Sequence, residues 1–181
     1  DPLWSRGLGD VYKRQPLPSE AMSLQWLSAA LPDCSEQDIR ELLYLAAGSP
    51  LAATRLHAQG VREQRALVVD GVKKLHKQQV SASQLAEGWK DVPLPLLFDW
   101  FCDWAQLILR YQLTQDERGL GPTDMAKVVQ YLAQKAAQQK VLSIQEWLLQ
   151  QRQKVLGNAN LNRVLLLEAL LVQWASLPGP G

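Results

Sequence analysis

One stretch limits the fold of this chain more than any other. Between Pro93 and Leu113, the residues Leu97, Trp100, Phe101, Trp104, Leu107, Ile108 and Tyr111 would cover most of the circumference of a helix. Only Asp99, Asp103, Gln106 and Arg110 interrupt them, and their spacing puts all four in one narrow polar stripe. A helix patterned in this way must be buried on more than one side, so other elements have to surround it.

The rest of the chain offers only helices for that purpose. No run of alternating β-branched residues is flanked by hairpin turns, so the expected fold class is all-α. Ser19 is placed to cap a first helix carrying Met22, Leu24, Trp26 and Leu27. Ser35-Glu-Gln-Asp38 reads as a capping box with Asp in place of Glu, opening a helix whose apolar face is Ile39, Leu42, Leu43 and Ala46. Gly48 stands where that helix should stop, and Ser49-Pro50 starts the next, which Gly60 closes. A second, larger helical set is expected to follow, with an amphipathic helix over 61–79, a short one over 81–90 and the aromatic one over 93–113. Thr123 is read as the cap of a helix bearing Met125, Val128, Val129 and Leu132. Ser143-Ile-Gln-Glu146 is read as a capping box opening the Trp147 helix, with Gly157-Asn158 as its stop. Leu161–Ala175 closes the chain as a helix apolar on nearly every side. No internal repeat of solenoid period is visible.

Composition narrows the function. The chain is 47% hydrophobic and 20% charged with a formal charge of +1, a globular balance with no global field to draw in nucleic acid or anionic membranes. No apolar run reaches the roughly 18–20 residues of a membrane span, and no signal peptide is evident. Residues 1–15, with Asp10-Val-Tyr-Lys-Arg-Gln15, look like a translated sequencing adapter, and without them the chain is formally neutral. Cys34 and Cys102 are far apart, and His57 and His76 are the only histidines. A structural zinc needs about four closely spaced ligands, so no metal is expected, and the thiols read as small core residues of a reduced, cytoplasmic protein.

Chemistry-bearing patterns are sparse. Neither a Gly-x-x-x-x-Gly-Lys-Ser/Thr loop nor a Gly-x-Gly-x-x-Gly is present, which removes the usual phosphate cradles and leaves no expected cofactor. Asp99 and Asp103 share a helix face, but no histidine or second carboxylate helix accompanies them, so a solvated stripe is the simpler reading. Neither cysteine has an evident base beside it, so no catalytic residue and no enzyme is expected. Lys73, Lys74, His76 and Lys77 form a basic patch that could touch a phosphate backbone or could merely complement a helix C-terminus. On the first of these readings, Lys73, Lys74 and Lys77 are candidate DNA contacts, and the chain would be a stand-alone helical nucleic-acid-binding protein. Trp26, Trp89, Trp100, Trp104, Trp147 and Trp174 occur at core spacing with acidic neighbours, unlike the cation-interleaved aromatics of single-strand binders.

Three stretches carry a family resemblance: Glu41-Leu-Leu-Tyr-Leu-Ala-Ala-Gly-Ser-Pro-Leu-Ala-Ala53, the aromatic helix Phe98–Tyr111, and Asn160-Leu-Asn-Arg-Val-Leu-Leu-Leu-Glu-Ala-Leu-Leu171. In this order, residues 16–181 resemble the C-terminal part of the delta-prime subunits of bacterial DNA polymerase III clamp loaders. The resemblance implies an AAA+ lid-like three-helix domain over 16–59, a helical-bundle collar over 60–176 and a tail over 177–181. The family's AAA+ core, with its zinc module and arginine-finger motif, would then lie outside this chain, as in a truncated gene. ATP-binding relatives carry a nucleotide-sensing arginine after Gly-Ser-x. Leu51 holds that place here and Arg55 is a turn further on, which fits a subunit that does not hydrolyse ATP. The same resemblance implies gamma/tau and delta subunits as partners in a hetero-pentamer, with DNA met only weakly or indirectly. Its subunit interface would involve Asn162, Arg163, Leu166, Leu170 and Trp174, although Asn162 and Arg163 could equally be capping and surface residues.

Overall fold

The computed structural model describes residues 18–157 and 160–179. The adapter-like stretch 1–15 and the stop at Asn158 lie outside the described residues. Those residues form nine α-helices, one 3₁₀ turn and no strands. The helices are α1 (Glu20–Ala30), α2 (Glu36–Leu45), α3 (Pro50–Ala58), α4 (Val61–His76), α5 (Ala82–Gly88), α6 (Leu94–Thr114), α7 (Ala126–Lys135), α8 (Gln138–Leu156) and α9 (Arg163–Ala175). The all-α expectation holds. The chain divides into two compact units after Glu63, in the first turn of α4.

The first unit is built from α1, α2 and α3, each packed on the other two. Leu27, Ile39, Leu42, Leu43 and Ala53 make its core, with Leu24, Leu31, Cys34, Ala46 and Leu56 around them. Its starts follow the sequence signals. Ser19 accepts the Met22 N–H, Ser35 and Asp38 complete a reciprocal capping box, and Ser49 caps a helix with Pro50 at its first position. The stop of α2 is shifted from the expected one. Positive φ begins at Ala47 (53°) and continues at Gly48 (85°). Gly48 N–H donates to Leu43 O at 2.9 Å and Ala47 N–H to Tyr44 O at 3.0 Å. Those two bonds are a Schellman motif with alanine at the left-handed position.

The second unit is organised round α6, as its pattern demands. Ten of its residues are buried, Leu97 to Tyr111, while Asp99, Gln106 and Arg110 are exposed. Helices α7 and α8 pack along it, and α9 packs on α5. Phe101 lies edge-on to Trp104 at 4.9 Å and to Trp174 at 5.0 Å, with Trp89 at 6.2 Å. Such aromatic pairs contribute about 0.5–1.5 kcal/mol each beyond area burial. Core spacing thus places Trp89, Trp100, Trp104 and Trp174 correctly, but Trp26 is 49% exposed.

Two expected caps are corrected. Ser143 opens nothing. It sits inside α8, which starts after Ala137, because Val141, Ile144 and Leu148 are all buried and carry one apolar face straight through it. Thr123 does not cap α7 either. That helix starts at Ala126, with Met125 as N-cap and no side-chain cap bond. The preceding Asp124 is held by Arg65 of α4, whose Nε and Nη2 donate to its two carboxylate oxygens at 2.7 and 3.1 Å.

Candidate interaction surface

Helix α9 begins on a built N-terminus. Asn162 accepts the Leu165 N–H at 3.2 Å, which makes it a cap. Arg163 follows at the first helical position, where a cation opposes the helix dipole. It is stabilised by turning back onto carbonyl oxygens at the end of α5. Its Nη2 donates to Trp89 O at 2.7 Å and to Val92 O. Burial lowers the Arg163 pKa, with Asp91 pulling it the other way. The guanidinium remains charged at neutral pH in either case.

Downstream, Leu167, Leu170, Leu171 and Trp174 are buried inside the second unit. The expected interface set is therefore dispersed. Asn162 caps, Arg163 bridges to the α5 end, Leu170 and Trp174 face the core, and Leu166 is half-buried. The apolar surface that α9 leaves open belongs to neighbouring positions, Val164 (44% exposed), Leu165 (63%) and Val172 (60%). The error is one of phase. With apolar residues on nearly every side, the sequence does not reveal which face the core takes. A second exposed line runs along α8, where Leu142, Leu149 and Leu156 recur every seven residues. Seven residues are close to two turns, so these leucines share a face.

The remaining polar constellations resolve into structural roles. Asp99 pairs across to α8, where Arg152 Nε donates to its Oδ1 at 2.6 Å. That bond raises the Arg152 pKa. No group of three or more metal-ligating side chains occurs among the described residues. Burial pushes the Cys102 thiol up to about 11, and Asp99 and Asp103 add to the shift while Arg152 opposes it. Cys102 is thus a protonated, slow-reacting thiol at neutral pH. Cys34 does have a base beside it, contrary to expectation, with Sγ 3.7 Å from His57 Nδ1. Leu51 is exposed on the first turn of α3.

Sequence reasoning missed Arg65. It is 3% exposed, and its guanidinium carbon lies 5.7 and 5.5 Å from the ring centres of Trp100 and Trp104. The signal was available, because Arg65 falls on the face of α4 shared by Val61, Val68, Val69 and Val72. The basic patch at the end of the same helix is split. Lys74 pairs with Asp70 at 2.9 Å, while Lys73, His76 and Lys77 line a groove against α7.

No helix among the described residues is long and apolar enough to cross a membrane. The sequence family described as DNA polymerase III, delta subunit, C terminal, matches residues 59–176. DNA polymerase III subunit delta′ of Pseudomonas aeruginosa is 72% identical over 171 residues, covering 94% of this chain and 52% of that protein. The chain spans about half the length of that relative. The delta-prime resemblance read from the three sequence stretches is thereby borne out. With more than half of its residues matched, this chain belongs to the family formed by the C-terminal region of the DNA polymerase III delta subunit.

Proposed function

We propose that this chain is a non-catalytic, cytoplasmic part of a clamp-loader subunit, with residues 16–59 as lid and 60–176 as collar. It joins gamma/tau and delta subunits in a five-membered assembly that loads the sliding clamp. The observation that carries this reading is the unpartnered face of α9. Val164, Leu165 and Val172 are open to solvent on a helix whose other side is fixed in the core. Apolar residues clustered on one exposed face mark a docking surface rather than scattered exposure. The leucine line on α8 supplies a second such face, and a member of a ring needs two, one for each neighbour. The name of the Pseudomonas aeruginosa relative supports the same assignment.

Size exclusion of the chain mixed with gamma/tau and delta subunits tests this. Co-elution is expected, and Leu165→Asp together with Val172→Asp should weaken it at least about tenfold, since a buried unpaired carboxylate costs several kcal/mol. Absence of co-elution for the unsubstituted chain would overturn the collar reading.

A further inference from the structure

The groove between the end of α4 and α7 is a second surface, separate from the docking faces of α8 and α9. It encloses about 560 Å³. Lys73 and Lys77 come to it from α4 and its C-cap, and Lys127 and Tyr131 come from successive turns of α7. His76 stands against Tyr131 edge to face, with ring centres 6.2 Å apart. None of Lys73, Lys77 and Lys127 has a carboxylate within ion-pair distance among the described residues. Asp124 also lines the groove, but its two oxygens are already committed to Arg65. Three like charges from two helices therefore converge on one concave surface, in a chain whose overall charge is only +1. Their mutual repulsion is relieved by an anion seated between them, and lysine ammonium groups bind phosphate as point charges. Beside them, the Tyr131 ring is 42% exposed. An open aromatic ring among cations is the arrangement that holds a single strand, with phosphates on the lysines and a base on the ring.

We propose that this groove binds the backbone of single-stranded DNA, with Lys73, Lys77 and Lys127 contacting phosphates and Tyr131 stacking on a base. The site differs from the sequence-level patch in two ways: Lys127 enters it, and Lys74, paired with Asp70, leaves it.

Fluorescence anisotropy of a labelled oligothymidylate, titrated with the 181-residue chain at several salt concentrations, tests the assignment. Three phosphate contacts should give a log–log salt slope of about −2. Lys73→Glu, Lys77→Glu and Lys127→Glu should each weaken binding about tenfold or more, and Lys74→Glu far less. Tyr131→Ala should weaken binding without changing the slope. Thymidine monophosphate and inorganic phosphate serve as competitors. If inorganic phosphate displaces the strand at the same concentration as the nucleotide, the groove is a free-anion site and the strand assignment falls. Absence of salt-sensitive binding, or equal losses for Lys74→Glu and Lys73→Glu, would overturn it as well. A circular-dichroism melt of each variant separates loss of binding from loss of fold. Leu165 and Val172 do not line the groove, so failure here leaves the assembly reading standing.

Discussion

Gly71 shows how one missing methyl group sets a helix contact. It lies mid-way along α4, where glycine costs about 1 kcal/mol relative to alanine. A Cβ built there would sit 2.8 Å from Leu85 Cδ2 and 2.9 Å from Trp89 Cζ2. Trp89 is fully buried and cannot move aside. We expect Gly71→Ala to destabilise the second unit by about 1–3 kcal/mol despite its better helix propensity, measured by urea unfolding. An alanine variant as stable as the parent would show that the helices can separate. His76 makes a different demand. Burial lowers its pKa from the usual 6.5, so the folded chain binds its proton less readily than the unfolded chain does. Its contribution is present above 6.5 and is lost as pH falls from there through the lowered folded value. Thermal melts between neutral and mildly acidic pH should therefore show a falling midpoint, and His76→Gln should flatten that fall.

Helix ends are where sequence and structure part company. Starts were legible because a capping serine is both a local signal and a local bond, as at Ser19, Ser35 and Ser49. Ser143 carries the same letters and caps nothing, because buried Val141, Ile144 and Leu148 make continuation of α8 the better solution. Local chemistry proposes an end there and packing declines it. Stops were harder still. At the end of α4, Gln78 holds φ at 58°, with Gln79 N–H donating to Lys74 O at 2.9 Å and Gln78 N–H to Leu75 O at 3.1 Å. Nothing in a glutamine announces a left-handed residue. We expect Gln78→Gly to stabilise the chain by about 0.5–1 kcal/mol by relieving the Cβ clash, read as a shift of the urea midpoint. Which face of an element is buried was legible for α6, where a polar stripe fixes the outside. It was not legible for α9, where apolar residues all round leave the phase to be chosen by Trp89, Phe101 and Trp174 together.

At the scale of the molecule, the two units hold different kinds of core. The first rests on aliphatic side chains from short helices. The second is gathered round aromatic rings and the pair of buried Arg65 with half-buried Asp124, which joins residues 59 apart in sequence. This difference divides the tryptophans. Among the described residues, Trp26 is the first unit's sole indole and is half open to solvent, while the second unit holds Trp89, Trp100, Trp104 and Trp174 in its interior and Trp147 half-buried. Emission from Trp26 should consequently be red-shifted and open to iodide quenching, and emission from the four interior rings blue-shifted and shielded from it. Replacing Trp4 and Trp26 by Phe would leave only the second unit's tryptophans, so the unfolding of that unit could be followed in one cuvette without attaching a dye.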